Sequence, residues 1–358
     1  MNDIRRTILW VIFGFSLVML WDQWQVHNGR KPTFFPGPVQ TTPQATGPAT
    51  AASTPDGVPT PTNSAALPTQ IVQATVATSP PAGAPAVARE RVTAQTDVFK
   101  LTFDTEGGSL VQAELLKHVD MIDTTRNVIL LDESKDRVYL AQSGLIAGAG
   151  GAAMPTHKSV MTLAPGERTL AEGSQTLELR FESPEVGGVK LAKTYTLTRG
   201  SYAVAVKHEV INVGATPVTP QLYLQLVRDG NKPPGESSLY FTFTGPAVYT
   251  DAKKYQKVEF ADIEKGSLDI EKTASNGYVA MVQHYFASAW LLGDGIKRDL
   301  FMRKVDTNLY SVGLIAPLEP IAPGARKTIE ARLFVGPQEE KTLEALTPGL
   351  ELVKDYGW

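Results

Sequence analysis

Residues 189–210 read VKLAKTYTLTRGSYAVAVKHEV, and this stretch decides the fold class. Val189, Leu191, Tyr195 and Leu197 share one phase of a two-residue period. Arg199-Gly200 turns the chain, and Tyr202, Val204, Val206, His208 and Val210 then share a second phase. Period-two alternation places apolar side chains on one face of a strand. A short turn between two such runs makes an antiparallel hairpin.

The same pattern extends in both directions. Upstream, Phe99, Leu101 and Phe103 alternate with Lys100 and Thr102 before a turn at Asp104–Gly108, and Leu177, Leu179 and Phe181 alternate with Glu178 and Arg180. Downstream come Leu222, Leu224 and Leu226, then Leu239, Phe241 and Phe243, and finally Ile329, Ala331, Leu333 and Val335. Gly187-Gly188, Asp229-Gly230, Pro233-Pro234-Gly235 and Pro323-Gly324 punctuate these runs. Fourteen to seventeen strands are expected, with almost no helical periodicity before residue 337. So many antiparallel strands predict a mainly β body over residues 89–336, two large sheets packed face to face.

The final segment, 337–358, changes character. Pro337 can open a helix at its first turn, followed by Glu339 and Glu340 near the positive end of the dipole. Leu343, Leu346, Leu350 and Val353 fall on one helical face, which Pro348-Gly349 interrupts. Two short helices are expected. Asp355-Tyr356-Gly357-Trp358 ends the sequence with interface-type aromatics, and the expectation is that a membrane segment would follow.

Residues 1–29 read as an N-terminal transmembrane signal anchor. Arg5 and Arg6 precede an apolar run from Ile8 to Trp21, with Trp10, Trp21 and Trp24 as interface aromatics. The alternative is a cleaved signal peptide, but the residues after Trp21 are bulky or polar where small ones are needed. The positive-inside rule puts the N-terminus in the cytoplasm and the remainder outside. Residues 30–88 form a linker that reads as disordered. From Pro32 to Ala88 there are twelve prolines and one charged side chain, Asp56. Nothing there can bury enough apolar surface to offset ordering entropy. As a flexible coil, such a tether spans roughly 40–45 Å.

Composition excludes several chemistries. The 358 residues carry a net charge of −3, and the part from Arg89 onward holds 30 basic and 34 acidic side chains, a net −4. That balance argues against a nucleic-acid partner. The absence of cysteine removes disulfides, thiolate metal sites and cysteine nucleophiles. His27, His118, His157, His208 and His284 show no two-histidine metal spacing, so no metal and no cofactor are expected. Gly107-Gly108 reads as a hairpin turn and Leu145–Ala153 as a glycine-rich loop, neither as a phosphate cradle. His208 lies in phase with the apolar face and reads as a core or rim histidine, with a general acid as the alternative. Glu178, Glu209 and Glu330 alternate out of phase and read as solvated. Tyr285, Phe286 and Trp290 read as core, with a partner groove as the alternative. No catalytic, cofactor or metal residues can be assigned, and the chain is not expected to be an enzyme.

Several motifs, in order and spacing, carry a resemblance to a known family. They are Leu20-Trp21-Asp22-Gln23-Trp24, Thr96-Asp97-Val98 with Thr105 and Gly107-Gly108, Gln142-Ser143-Gly144-Leu145, Lys193-Thr194-Tyr195, Arg199–Val204, Tyr285–Trp290 and Asp355–Trp358. Over its whole length the chain resembles the YidC membrane protein insertases of Gram-negative bacteria. The resemblance implies a β-super-sandwich like that of galactose mutarotases, with C-terminal helices packed back on it. It also implies an inner-membrane location and insertion of nascent inner-membrane proteins, alone or with the Sec translocon and its accessory subunits. That family's insertion groove and its basic residue lie in later membrane helices, and no residue of this sequence matches them. These residues would therefore supply the bilayer anchor and a partner-binding periplasmic domain, with the sandwich rather than the linker making the contact. A mutarotase-like epimerase or carbohydrate-binding module is the alternative, and a chaperone binding unfolded segments directly is a third reading.

Overall fold

The computed structural model describes residues 88–148, 151–233 and 242–354. The predicted anchor, nearly all of the linker, the strand positions Leu239 and Phe241, and Asp355–Trp358 lie outside the described residues. Among the described residues, no helix is long and apolar enough to cross a membrane.

Among the described residues, eighteen strands appear in chain order. The first nine are β1 (Arg91–Gln95), β2 (Phe99–Asp104), β3 (Ser109–Val119), β4 (Asn127–Glu133), β5 (Val138–Ala147), β6 (Thr162–Leu163), β7 (Thr176–Glu182), β8 (Val189–Thr198) and β9 (Ala203–Asn212). Then come β10 (Pro220–Asp229), β11 (Gly245–Thr250) and β12 (Lys254–Lys257), followed by helix α1 (Phe260–Lys265). Strands β13 (Thr273–Ala274), β14 (Tyr278–Gln283), β15 (Phe286–Leu292), β16 (Arg298–Asp306), β17 (Leu309–Pro317) and β18 (Arg326–Pro337) complete the set. Helix α2 (Glu340–Leu346) and a 3-10 turn (Leu350–Val353) close it.

The strands form two nine-stranded sheets. The first runs β1-β2-β3-β4-β5-β10-β17-β16-β13, the second β12-β11-β14-β15-β18-β9-β8-β7-β6. Their ladders are antiparallel, including the β8–β9 hairpin on which the sequence argument rests. The predicted inward residues form one continuous core between the sheets: Phe99, Leu101 and Phe103, Leu177 to Phe181, Val204 to Val210, Leu222 to Leu226, and Ile329 to Val335. Because the side-chain period is two, a one-residue slip would turn any of these rows to solvent, and that cost sets the register.

The count is one above the upper expectation of seventeen, and two of the strands are very short. β6 and β13 have two residues each, too few to show any periodicity. α1 was likewise invisible, because it buries only Ile263. The predicted loop over Leu145–Ala153 begins later than expected. Leu145, Ile146 and Ala147 pair with Leu222, Gln221 and Pro220, so β5 runs on to Ala147.

The C-terminal end needs one correction. Pro337 ends β18 opposite Phe286 instead of opening a helix. Gln338 then holds the chain on the β14–β15 turn, its backbone N–H donating to Tyr285 O and its side-chain amide to Gln283 O and Phe286 O. The helix starts only at Glu340, with Glu339 as its N-cap and Glu340 in the first turn. Pro348-Gly349 does separate two short helical pieces. Leu343, Leu350 and Val353 are buried against Ala280, Ala287, Ala289 and Phe334 on the outer face of the second sheet. The Tyr278 hydroxyl donates to Gly349 O at 2.7 Å, fixing the 3-10 turn there.

Gly324, in the turn before β18, sits at φ +75° with no neighbour near its missing Cβ. Gly324→Ala is therefore expected to cost about 1 kcal/mol through backbone conformation alone. Gly324→Asn should cost less, because asparagine tolerates this region. Urea midpoints of the two variants check the order.

Candidate functional site

Three polar side chains are buried between the sheets where the alternation calls for apolar ones. Lys193 lies in phase with Val189, Leu191, Tyr195 and Leu197 on β8, so the pleat turns it inward. Its Nζ donates to Gly107 O and to Ser143 O, each at 2.6 Å. Ser143 Oγ on β5 and His208 Nε2 on β9 are hydrogen-bonded at 2.9 Å, across the two sheets. Tyr195 donates its hydroxyl to Gly108 O at 2.6 Å. Lys193, Ser143 and His208 are all fully buried.

Burial sets their protonation. Desolvation brings the Lys193 ammonium down to about 7. Desolvation and the neighbouring Lys193 charge bring His208 down to about 3, so its ring is neutral at physiological pH. A neutral imidazole bonded to a serine hydroxyl, with an amine nearby, is a set of groups that acyl-transfer chemistry uses. Here all three sit at zero exposure, and their hydrogen bonds tie β8 and β9 of one sheet to β5 of the other. The tie closes on the Gly107-Gly108 turn, whose backbone offers both acceptors. Gly107 has φ +73°, and a Cβ there would lie 2.3 Å from His157 O. The diglycine is needed for that close approach.

A second polar cluster lies where the described chain begins. Arg89 pairs with Asp104 at 2.6 Å and Glu106 at 2.9 Å, and Arg91 pairs with Glu133. The Asp104 and Glu133 side chains are only 1% and 3% exposed, so the arginines neutralise charges that have left water. Beside them is a small cavity lined by Arg89, Asp104, Glu106, Ser109, Glu133 and His157, among others. A histidine and carboxylates therefore do meet in one recess, as an epimerase would need. The carboxylates are held by arginine, and His157 Nδ1 is hydrogen-bonded to the Tyr223 hydroxyl at 2.6 Å. The free space is about 10 Å3, room for a single water and not for a sugar.

The other sequence candidates separate on folding. Trp290 is core, and its Nε1 donates to Gln225 O of the opposite sheet at 3.0 Å. Phe286 is half-buried, while Tyr285 is exposed, contrary to the core reading. It sits in the turn between β14 and β15, where the alternation breaks. Glu178 and Glu330 are exposed as predicted. Glu209 is partly buried and ion-paired with Arg180, which lowers its pKa. His118 contacts Phe286 edge to face and Tyr202 at a tilt, His157 and His208 occupy separate networks, and His27 lies outside the described residues. Among the described residues, no group of three His, Asp or Glu side chains could hold a metal ion. Lys193 was the residue that sequence reading missed, although its phase on β8 placed it inside.

Comparison with known proteins adds to this geometry. Residues 91–358 match the family model described as the YidC periplasmic domain. The chain is 48% identical over 356 residues to the membrane protein insertase YidC of Janthinobacterium sp. (strain Marseille), covering 99% of this chain and 61% of that protein. It is 47% identical over 361 residues to the protein of the same name from Burkholderia multivorans, covering 99% and 62%. The chain thus spans about three-fifths of the length of these relatives. Among solved structures, it is similar to a galactose mutarotase-like protein from Lactobacillus casei, with a TM-score of 0.44, 12% identity and coverage of 69% of this chain and 100% of that one. It is also similar to a putative aldose 1-epimerase from Escherichia coli K12, with a TM-score of 0.43, 11% identity and coverage of 69% and 99%.

Proposed function

We propose a function from the premise that this chain belongs to the YidC membrane protein insertase family: it is the anchor, tether and periplasmic domain of an insertase. The observation that carries the proposal is an overall identity of 48% across a match that covers 99% of the chain. In this reading residues 1–29 cross the inner membrane with the N-terminus inside. Residues 30–88 give slack, and the two-sheet body meets periplasmic partners. Insertion of nascent membrane proteins belongs to the part of the relatives' length that this chain does not span. The Sec translocon and its accessory subunits are the partners we assign to the sandwich.

The serine, histidine and lysine side chains are fully buried, and the recess at Arg89 has about 10 Å3 of free space. The test is genetic. Residues 1–358 joined to the remainder of the Janthinobacterium relative should restore growth to cells depleted of their own insertase. Residues 1–358 alone should not. Failure of the hybrid, or growth on the chain alone, would overturn the assignment. The detergent-purified chain should also leave aldose anomer exchange at the buffer rate, and acceleration would return the epimerase reading.

A further inference from the structure

The turn between β3 and β4 carries an apolar apex on a pre-ordered backbone. Val119, Met121 and Ile122 are 56%, 63% and 64% exposed, the most exposed large apolar side chains among the described residues. Exposed turns ordinarily hold Gly, Asn, Asp or Ser. Here two aspartates play that usual turn role, but the residues between them, Met121 and Ile122, are apolar. Asp120 Oδ1 accepts the backbone N–H of Ile122 at 2.8 Å and of Asp123 at 3.0 Å. Asp123 Oδ1 accepts from the N–H and hydroxyl of Thr125. Asp120 N–H donates to Arg126 O, and Arg126 N–H to Asp123 O. The turn's backbone donors at 120, 122, 123, 125 and 126 are therefore satisfied internally. The Arg126 side chain pairs with Asp123 at 2.9 Å, and residues 117–126 together carry no net charge, with Lys117 and Arg126 against Asp120 and Asp123.

Those properties suit a low-dielectric environment. An apolar apex can seat in the hydrated interfacial layer, and each backbone donor already bonded within the turn is one fewer to desolvate. The same end of the molecule holds a second exposed residue of interfacial type. His118 meets Phe286 edge to face with ring centres 5.6 Å apart, which brings the β14–β15 turn and exposed Tyr285 alongside. We propose that the 119–123 turn is a membrane-contact element, seating Met121 and Ile122 in the interfacial layer of the bilayer to which the chain is anchored. This rests on the reading of residues 1–29 as an anchor. On that reading the coil expected of residues 32–88, roughly 40–45 Å, is short enough for the body to reach the bilayer often. At such effective concentration a contact too weak to bind free protein is populated. A second copy of the chain suits the turn less well. Three or four side chains fall far short of the roughly 800 Å² per partner of a stable protein interface.

The absence of cysteine permits a direct test. Full chains carrying Met121→Cys or, as control, Val213→Cys are labelled with an environment-sensitive fluorophore. They are then reconstituted in vesicles of phosphatidylethanolamine and phosphatidylglycerol. Val213 is also exposed but follows β9, whereas Tyr202, which touches His118, precedes it. A ten-residue strand, about 33 Å, separates the two positions. A nitroxide on a shallow acyl carbon should quench the label at 121 at least twofold more than at 213, with a blue shift only at 121. Equal quenching in chains that float with the vesicles overturns the membrane contact alone. Chains that do not float overturn the anchor and this contact with it. A blue shift at 121 that ignores the nitroxide and grows with the protein-to-lipid ratio overturns the contact in favour of a second copy.

Discussion

Acidification from pH 6.5 to pH 4 should destabilise this protein steeply, and His208→Gln should remove much of the slope. His208 titrates near 3 in the folded chain and near 6.5 when unfolded. Between those values the unfolded state holds one more proton than the folded state, so stability falls as pH falls. One proton corresponds to about 1.4 kcal/mol per pH unit, or roughly 3 kcal/mol across this window. Lys193 has the same sign in a higher window. Its folded value of about 7 lies below its ordinary 10.5, so stability falls as pH drops from 10.5 towards 7. Carboxylates held low by their partners, such as Asp120, Glu209 and Glu319, add a loss only at lower pH. Glutamine can still hydrogen-bond Ser143 but does not titrate. Urea midpoints at several pH values should therefore give curves that diverge between pH 6.5 and 4. Parallel curves for the native chain and His208→Gln would show that the buried imidazole does not set the acid limb.

Trp290→Ala is expected to destabilise the chain by about 3–5 kcal/mol, the range for removing a large aromatic side chain from a packed core. Trp290 is 1% exposed at the middle of β15 and reaches across the core to Gln225 O. Truncation removes that hydrogen bond and opens a void against side chains of both sheets. Domains are stable by only about 5–15 kcal/mol, so the variant should approach unfolding at moderate temperature. Trp290→Phe keeps most of the volume, loses the indole donor, and should cost less. Tyr285→Ala, five residues away and exposed, should change stability by less than about 0.5 kcal/mol. Denaturant unfolding of the three variants measures the order, and a Trp290→Ala loss comparable to that of Tyr285→Ala would contradict this account of the core.

The contrast between Trp290 and Tyr285 shows how far the sequence was legible. Alternation identified the long strands because a half-buried strand must repeat its apolar side every second residue. It could not identify β6 and β13, which are shorter than two periods, or α1, which buries one residue. It also misplaced the start of the last helix. Proline is compatible with a helix N-terminus and with a strand end, and only the pairing of Pro337 with Phe286 chooses between them. Polar residues within apolar rows were the least legible. His208 was marked by its phase, and Lys193 was passed over because a lysine in a strand is ordinarily solvated.

The amino-acid sequence by itself determined the fold class and the family, and it holds the apolar N-terminal run and the proline-rich segment on which the anchor and tether are proposed. Each is written in local periodicity, composition or collinear motifs. Tertiary structure alone decided which polar residues face one another. Ser143, Lys193 and His208 are brought together only when two sheets close, and the Gly107-Gly108 turn then supplies the acceptors for Lys193 and Tyr195. Contact between residues on different sheets depends on how strands from distant parts of the chain are ordered and registered. A period of two specifies which way a side chain points, and the closed sandwich specifies what it meets.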